Sequence, residues 1–553
     1  MTVCAALCAH AVSTAQGCAD SWTRRPNMLR RRMLGRGRTR TRDGRAVTRF
    51  GLSAAAIVLL GKRPTSAFQP SVSPAYCSED VSYLAIPPLT DSIASTFEDP
   101  KLPEADLELL QVQLLIRHGA RTPWDDFTCW DGYDFTWDCN VTEIVLPSAH
   151  AAGPVPDTAV FRKRYDADHN ANYFGGTCMK GQLIAQGYDQ WEENGRQLRD
   201  AYICEGTHCL FPSPTAADIA TETLYLRSDD EQRTVMSGQV LVASMLDMAG
   251  LGAPLTWHTG DYKLDRLYPN EEACARLGEL EAEAASSDEF SARYHESEDV
   301  RALNQSLRDA WGIENVQKWD VVLDCIMTTA CTGREMPEGM TQDLLDRAVD
   351  LTTWAQNFAY FYNEAAFAKL AMAPLVDKMR TRMAAAAEGT TPVKLALYSA
   401  HDSTVMPFLA AVAPVAWGRS WAPYAATVSV ELYRGPPPEG GEPEGGEHYF
   451  RFVYNGQVLR LEGCEHDLCP VDAFMAATAF APDLLPPEQC TALNDQAATT
   501  SIATGWEETG FSDAVITAFS LVCFAIGLFT GMAPTAMYLK RFRYEPMGDE
   551  GPG

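Results

Sequence analysis

Residues 107–123 read LELLQVQLLIRHGARTP, and this stretch decides the fold. Its first ten residues are largely apolar, which predicts a β-strand buried within a sheet. The strand ends directly in Arg117, His118 and Gly119, and Arg121 follows shortly after. Open α/β sheets bind their ligands just beyond the carboxyl ends of their strands. The stretch therefore predicts both a central strand and a polar site at its end.

Four further runs along the chain predict strands of the same sheet. Two are apolar and end in polar residues, as the first does: residues 223–226 (TLYL) and 393–399 (VKLALYS). Two alternate with period two, residues 427–433 (TVSVELY) and 449–454 (YFRFVY). The Pro/Gly/Glu-rich stretch between the last two is typical of a solvated hairpin loop.

Apolar residues at helical spacing predict helices between these strands, over residues 182–203, 231–248 and 342–378. The last of these carries Pro374, where we expect the helix to break or bend. Strands separated by helices imply an α/β fold with a mostly parallel central sheet. The segment 124–178 is rich in Trp, Asp and Cys and is interpreted as an insertion over one end of the sheet.

The N-terminal region differs from the rest of the chain in charge. Residues 1–64 carry a net charge of +11 and residues 540–553 are neutral, so the total of −28 leaves −39 for residues 65–539. The apolar run 51–61 is too short to cross a bilayer, which takes about 20 residues. It fits the core of a signal peptide cleaved after Ala67. An Arg-rich organelle transit peptide is the alternative.

The C-terminal region predicts a membrane anchor. Residues 514–539 contain no charged side chain, and 26 such residues can cross a bilayer with some tilt. Lys540, Arg541 and Arg543 follow at once, as the positive-inside rule requires. A buried core helix is the alternative. We therefore expect a single-pass type I membrane protein of the secretory pathway, in a lysosome or vacuole, in the Golgi or at the cell surface.

The expected organisation has four parts. They are a leader at 1–67, a lumenal or extracellular domain at 68–513 with cap insertions at about 124–180 and 258–340, a transmembrane helix at 514–539 and a cytosolic tail at 540–553.

Cysteine usage agrees with a translocated domain. Twelve of the 16 cysteines lie within residues 68–513, and an even number there predicts disulfides. Three pairs are close enough in sequence to bond locally: Cys204 with Cys209, Cys325 with Cys331, and Cys464 with Cys469. The absence of a C-x-x-C pair argues against a zinc ribbon. Sequons at Asn140 and Asn304 predict N-glycosylation.

Three of the predicted strands end in charged residues that are unusual in a core. These are Arg117 with His118, Arg227, and His401 with Asp402. Arginines offer forked donors that match phosphate oxygens, and Arg121 adds a third guanidinium. A histidine can act as nucleophile or as cationic donor, and a carboxylic acid can protonate a leaving alkoxide. The residue types therefore agree on a phosphorylated ligand.

These residues stand in motifs that resemble the histidine acid phosphatase family. Residues 115–123 (LIRHGARTP) are similar to its R-H-G-x-R-x-P signature. Residues 226–234 (LRSDDEQRT) resemble its second arginine segment, and residues 398–404 (YSAHDST) its distal His–Asp segment. The resemblance runs from about Leu107 to Cys490 and includes features of the prostatic and lysosomal acid phosphatase branch. The chain also looks similar to 2-phosphoxylose phosphatase.

The resemblance implies a membrane-anchored acid phosphatase with a three-layer α/β fold like that of phosphoglycerate mutase. His118 would attack phosphorus and form a phosphohistidine, and Asp402 would be the general acid. Four side chains would hold the phosphate: Arg117, Arg121, Arg227 and His401. Arg233 is expected to brace the site. Since the arginines supply the positive charge, no metal or other cofactor is expected. The resemblance also implies a bridge between Cys274 and Cys490.

Other functions stay open at this point. A Golgi sugar phosphatase and a phytase-like enzyme are the alternative activities, although phytases favour a basic pocket. An anchored binding protein with a degenerate site is the non-enzyme alternative, against which the intact residues His118, Arg227 and His401-Asp402 argue. The expected partner is a small phosphomonoester or a phosphorylated glycan or protein, with a homodimer left open. The acidic body argues against a nucleic acid.

Overall fold

The structure is a computed structural model of the chain. It describes residues 74–78, 80–96, 107–124, 129–140, 144–145, 161–162, 175–213, 219–246, 255–312, 319–436 and 446–491. All of them belong to one structural unit, which begins at Pro64. The predicted leader, transmembrane helix and tail lie outside these residues. Within the described ranges, no helix combines the length and the apolar character needed to cross a membrane.

A mixed sheet forms the centre of the described domain. Its strands are β1 (Glu108–Arg117), β2 (Leu224–Ser228), β3 (Trp257–His258), β4 (Leu395–Ala400), β5 (Thr427–Arg434), β6 (His448–Tyr454), β7 (Gln457–Val458) and β8 (Cys469–Pro470). They follow the order β7–β6–β5–β1–β4–β2–β3, and β8 pairs with β6. The strands β1, β4, β2 and β3 are parallel to one another. The strand β5 pairs antiparallel with both β1 and β6. All five predicted strands are present, and the mostly parallel centre is confirmed.

Two short ladders lie in the segment between β1 and the next helix. Thr136–Trp137 pairs with Gly175–Gly176, and Ile144–Val145 pairs with Phe161–Arg162.

Helices surround the sheet. The longer ones are α1 (Leu89–Thr96), α2 (Ala185–Tyr202), α3 (Gln232–Met245), α4 (Arg276–Ala285), α5 (Glu298–Trp311), α6 (Trp319–Cys331), α7 (Gln342–Ala387), α8 (Asp402–Val412) and α9 (Val471–Ala477). Shorter helical turns cover Pro74–Cys77, Val81–Leu84, Thr221–Thr223, Asp288–Phe290, Ser291–His295, Phe480–Asp483 and Pro487–Cys490.

Both faces of β1 are covered by helices, which explains its apolar sequence. Leu114 and Ile116 pack in the core formed with α2 and α3. Leu115 points the other way, into the core formed with α7 and α8. Successive strand residues point to opposite faces of a sheet, so a strand covered on both sides is apolar throughout. The mixed α/β prediction is thereby confirmed.

Helix α7 is kinked, but not at Pro374. Its backbone leaves helical angles at Tyr362–Ala365, where three residues have φ between +50° and +61°. The helix continues through Pro374. A proline removes the hydrogen bond to the carbonyl four residues earlier. Here that carbonyl, of Leu370, accepts a hydrogen bond from Arg266 Nη2 at 2.8 Å. The predicted break at Pro374 does not occur, because the backbone keeps helical angles there and Arg266 satisfies the freed carbonyl.

Six disulfides join all twelve cysteines of the domain. Cys204–Cys209, Cys464–Cys469 and Cys274–Cys490 are the pairs expected from the sequence and the resemblance. The others are Cys77–Cys331, Cys129–Cys325 and Cys139–Cys178.

The expected pair of Cys325 with Cys331 does not form. Both cysteines lie on α6, where six residues of helical rise separate them by about 9 Å. A disulfide requires Cα atoms less than about 7 Å apart. The two cysteines are therefore too far apart to bond to each other, and each forms a disulfide with a different partner.

The two expected cap insertions share a second core. Trp130, Tyr133 and Trp137 of the first segment pack against helix α5 through Trp311 and against α6 through Ile326. This core places α6 beside the end of β1.

Candidate active site

A cavity of about 770 Å³ opens where β1 and β4 end. Five of the six predicted site residues line it: Arg117, His118, Arg121, His401 and Asp402. Arg233 from the first turn of α3 and Asp324 from α6 also line it. The parallel neighbours β1 and β4 point their carboxyl ends the same way, which brings together residues nearly 300 positions apart in the sequence.

His118 is held as a neutral imidazole. Its Nδ1 lies 2.8 Å from the carbonyl oxygen of Gly119, and a carbonyl can only accept, so Nδ1 carries the hydrogen. This tautomer leaves the lone pair on Nε2. The ring is 1% exposed. Burial, together with the charges of Arg233, Arg121 and Arg117, holds the pKa of His118 well below its ordinary value. A neutral imidazole with a free Nε2 lone pair is a competent nucleophile.

The turn after His118 packs directly on helix α2. A Cβ on Gly119 would lie 2.5 Å from the carbonyl oxygen of Gly187, and a Cβ on Gly187 would overlap the backbone of Ala120. Only glycine at both positions permits this approach. It lets the backbone N–H of Ala120 donate to Gln190 Oε1 at 2.8 Å. The close packing and this hydrogen bond together hold the backbone of the turn that leads to Arg121.

Three arginines line the cavity, and each is paired with one carboxylate. The pairs are Arg117 with Asp402 (2.8 Å), Arg121 with Asp324 (2.6 Å) and Arg233 with Glu231 (2.5 Å). The Nε atoms of all three arginines are buried and have no hydrogen-bond partner among the described atoms. Because a guanidinium has five N–H donors, each arginine keeps donors for a further anion. The arrangement suits a phosphoryl group.

Asp402 begins helix α8 and faces two donors. Its Oδ2 accepts from Arg117 Nη2 at 2.8 Å and from Trp421 Nε1 at 2.8 Å. Burial favours the protonated acid, but the positive charges of Arg117 and Arg121 outweigh it. The pKa of Asp402 is therefore below its ordinary value.

His401 is held by a carboxylate that sequence reasoning missed. Its Nε2 lies 2.6 Å from Asp229 Oδ2, and Thr234 Oγ1 donates to the other oxygen of Asp229. Burial alone would raise the pKa of Asp229, but the interaction with His401 lowers it overall. An ionised Asp229 makes Nε2 of His401 a donor to it. One feature of the sequence could have indicated Asp229 as a site residue: it directly follows the strand β2, at the end of the sheet where ligands bind.

Arg227 does not join the cavity, so its predicted role as a phosphate ligand does not fit its position. Its Nη2 pairs with Asp265 at 2.5 Å, and its Nη1 donates to the carbonyl of Ser228. The side chain lines a separate cavity of about 270 Å³ beside α7, together with Tyr225. Arg227 and Tyr225 share one face of β2, and that face turns away from His118. Arg233, expected only to brace the site, stands in the cavity instead.

The outer part of the cavity carries exposed aromatic side chains and side chains of both charges. Trp124 and Tyr262 line it and are 40% and 61% exposed. Asp230 and Lys180 also line it. Trp124 and Lys180 come from the expected cap insertion at about 124–180. Asp324 lies 203 positions after Arg121, and no motif in the sequence connects the two.

One side-chain cluster in the described part of the chain has the spacing of a metal site, and it lies outside the cavity. Cys204, His208 and Cys209 bring their ligand atoms within 4.8 Å of one another. The two cysteines are joined in a disulfide, however, so they offer no thiolate.

The two predicted glycosylation positions are both partly exposed. Asn140 donates to Asp138, and Asn304 lies within α5. Glycosylation itself stays a prediction.

Most of the described domain matches one family of known proteins. The model of the family described as "Histidine phosphatase superfamily (branch 2)" matches residues 108–455. Counting factor 60 of Dictyostelium discoideum is 30% identical over 389 residues, which cover 69% of this chain and 88% of that protein. Lysophosphatidic acid phosphatase type 6 of Homo sapiens is 25% identical over 406 residues (70% and 87%). Prostatic acid phosphatase of Homo sapiens is 27% identical over 310 residues (53% and 75%).

Proposed function

Because the chain belongs to the histidine phosphatase superfamily, branch 2, and is a phosphoric monoester hydrolase of the acid phosphatase kind, we propose that it acts through a phosphohistidine on His118. One observation carries the proposal. The His118 imidazole is neutral, its Nδ1–H is directed at the Gly119 carbonyl, and its Nε2 lone pair is available beside three arginines.

In the first step, Nε2 of His118 attacks phosphorus in line while the bond from phosphorus to the leaving oxygen breaks. Arg117, Arg121 and Arg233 hold the phosphoryl oxygens. His401 is a further donor only as the imidazolium, through Nδ1–H, because its Nε2–H is used by Asp229. Their charge stabilises the transition state, and a single oriented arginine can contribute roughly 10³–10⁵-fold in rate. The Gly119 carbonyl stabilises the imidazolium that the attack creates, because it accepts the Nδ1 hydrogen.

Asp402 donates a proton to the leaving alkoxide. Arg117 lowers the pKa of Asp402, which by itself disfavours the acid form. A bound phosphate group shares the Arg117 guanidinium and adds negative charge beside the carboxyl. Both effects raise the pKa of Asp402 again, so the acid form is favoured when substrate is bound. In the second step, the Asp402 carboxylate takes a proton from water, which attacks phosphorus and releases His118.

Trp124 and Tyr262 offer apolar surface for the leaving alcohol. The charges of the lining do not decide between one phosphate group and several: Asp230 would repel a second phosphate and Lys180 would attract it, while Glu231 is already paired with Arg233. The phytase-like alternative is therefore tested with an inositol phosphate. The name of one relative, lysophosphatidic acid phosphatase, makes an acyl glycerol phosphate a useful test substrate. The sugar-phosphatase alternative is tested in the same panel.

We also propose that the domain works on the lumenal or extracellular side of a membrane. Twelve cysteines joined in six disulfides support an oxidising compartment. The predicted leader and the apolar segment 514–539 would supply entry and anchoring. Protease protection of intact microsomes tests this topology: a domain digested without detergent would contradict it.

The catalytic proposal is tested by phosphatase assays of the full-length protein at pH 4–7, with His118→Ala as control. We expect activity on phosphate monoesters at acid pH and none in the variant. Brief reaction with a ³²P-labelled substrate followed by quenching in alkali should label the wild type, because phosphohistidine survives base. Equal activity in the two proteins would exclude His118 as the nucleophile.

A further inference from the structure

We propose that Asp324 is a positioning residue that sets the orientation of Arg121, and that the disulfide Cys129–Cys325 holds Asp324 in place. The proposal rests on the proposed function, because it takes Arg121 as a phosphate ligand. Asp324 stands on α6, a helix of the second core, and not on the sheet that carries the catalytic histidines.

Both carboxylate oxygens of Asp324 are used by the segment that follows the nucleophile. Oδ1 accepts from Arg121 Nη1 at 2.6 Å, and Oδ2 accepts from the backbone N–H of Trp124 at 2.9 Å. The same Nη1 also donates to the carbonyl of Thr122 at 3.0 Å. Two acceptors therefore fix one end of the guanidinium. The orientation of its remaining donors follows, since the group is planar and rigid.

The contact is almost free of solvent. The side chains of Arg121 and Asp324 are 7% and 6% exposed. Burial raises the pKa of Asp324, and the charge of Arg121 only partly offsets this effect. Burying an ion pair contributes little net stability, because the loss of hydration opposes the attraction of the charges. Stability alone therefore gives a weak reason for a carboxylate at this point, whereas the fixed geometry of Arg121 gives a direct one.

Two disulfides fasten helix α6, one at the residue next to Asp324 and one at the C-terminal end of the helix. Cys325, the neighbour of Asp324, is bonded to Cys129, eight positions after Arg121. Cys331 at the end of the helix is bonded to Cys77, and its carbonyl accepts from Gln186 Nε2 at 3.0 Å. The disulfide and the ion pair thus join the same two chain segments. On α6 they use the adjacent residues Asp324 and Cys325. The disulfide limits how far Asp324 can move away from Arg121.

The variant Asp324→Asn separates positioning from simple neutralisation. Asparagine has the same shape but only one acceptor oxygen, so it cannot hold both Arg121 and the Trp124 amide as the carboxylate does. If Asp324 only neutralised Arg121, its loss would make the cavity more positive, and inorganic phosphate would bind more tightly. If Asp324 positions Arg121, inorganic phosphate becomes a weaker inhibitor and kcat falls.

We expect Asp324→Asn to lower kcat/KM by roughly 10- to 100-fold, the scale on which a small displacement of a catalytic group acts. The inhibition constant for inorganic phosphate should rise in the same variant. Asp265→Asn is the matched control, because Asp265 forms a buried pair with Arg227 outside the cavity. It should lose stability to a similar degree and change kcat/KM by less than about threefold, since Asp265 lines the separate cavity and not the catalytic one.

The cysteine pair gives a second measurement. The double variant C129S/C325S should lower kcat and weaken phosphate inhibition in the same direction as Asp324→Asn. The variant C204S/C209S, which removes a disulfide elsewhere, should leave both unchanged. Thermal unfolding confirms that each variant is folded. If Asp324→Asn fails to fold, C129S/C325S carries the test.

Wild-type kcat in Asp324→Asn with unchanged or tighter phosphate inhibition would overturn the proposal, and so would unchanged kinetics in C129S/C325S. Either result leaves the proposed function standing, provided that the wild type is active and His118→Ala is not. An inactive wild type, in contrast, would remove the proposed function itself.

Discussion

Arg451 on β6 and the arginines of the catalytic cavity all lie beside carboxylates, but they differ in how many of their donors have partners. On β5 and β6, Arg451 donates Nε and Nη2 to Glu431 at 2.5 and 3.1 Å and Nη1 to the carbonyl of Pro87 at 3.0 Å. Glu431 also accepts from the hydroxyls of Tyr202 and Tyr433. Every nitrogen of this guanidinium has a partner.

The catalytic cavity uses the same residue types in the opposite way. Arg117, Arg121 and Arg233 are each paired with a carboxylate, yet the Nε of each is left without a partner among the described atoms. An unsatisfied buried donor costs free energy until something accepts from it. An unpaired Nε alone does not mark a binding arginine, because Arg266 and Arg334 have one as well. The cavity arginines combine unpaired donors with a position on the lining of the cavity.

The largest expected effect concerns the two arginines of the β2–α3 segment. Arg233→Ala should lower kcat/KM by roughly 10³-fold, because it removes a guanidinium from the phosphoryl group. Arg227→Ala is the matched control and should cost less than tenfold, since its partner Asp265 lies outside the cavity. Steady-state kinetics on one aryl phosphate measures both. A larger loss of kcat/KM in Arg227→Ala than in Arg233→Ala would show that Arg227 is the phosphate ligand, as the sequence predicted.

Asp402→Asn should have the next largest effect. Loss of a general acid typically lowers the rate by roughly 10²–10⁴-fold, and the loss should be greatest for alkyl phosphates. It should be smaller for 4-nitrophenyl phosphate, whose leaving group needs no proton. The ratio of kcat values for the two substrates measures the role directly. An equal loss on both would show that Asp402 acts only through Arg117.

The Arg451–Glu431 pair, in which every guanidinium nitrogen has a partner, should affect stability and not catalysis. Arg451→Leu leaves Glu431 buried without its cation, which should lower the free energy of unfolding by about 3–5 kcal/mol. The kcat of the folded fraction should stay at the wild-type value. Urea unfolding and active-site titration measure the two quantities separately. A fall in kcat per active site would mean that the two regions are coupled.

The smallest expected effect is on the pH dependence of stability. The pKa of His118 in the folded protein lies well below the ordinary 6.5, so below pH 6.5 the unfolded chain gains a proton that the folded one does not. Stability should fall by up to about 2 kcal/mol from pH 7 to pH 5, at 1.36 kcal/mol per unit of pKa shift.

His118→Asn should flatten that slope, which thermal unfolding at the two pH values measures. Asp402 and Asp229 do not act in this window. Their folded pKa values lie below 3.8, so their contribution is present above pH 3.8 and is lost only as pH falls through the lowered values. Equal slopes in wild type and variant would show that His118 is not held neutral.

Much of the fold follows from local pattern. The five strands were predicted because buried strands leave continuous or alternating apolar runs, and β1 shows this over its whole length. Five of the six predicted site residues meet in the cavity because Arg117, His118, His401 and Asp402 directly follow parallel neighbours. These features depend on residues close together in sequence, which a motif records.

The errors arose where distant partners decide the structure. Arg227 stays outside the cavity because of the face of β2 on which it lies and because it pairs with Asp265, whereas Arg233 enters the cavity from the first turn of α3. The kink in α7 was misplaced because Arg266 satisfies the carbonyl that Pro374 frees. Asp324 was missed because its contact with Arg121 spans 203 positions. Sequence pattern carries no direct signal for such pairings.

The place of β1 in the sheet has a consequence for biosynthesis. Both of its neighbours follow it late in the chain, β4 by about 280 residues and β5 by more than 300. At roughly 5–20 residues per second, a ribosome leaves the apolar strand without a partner for roughly 15–60 s. The growing chain therefore needs chaperones that bind extended apolar segments. Production in an oxidising compartment, with the whole chain through β6 present, should yield far more folded protein than shorter fragments.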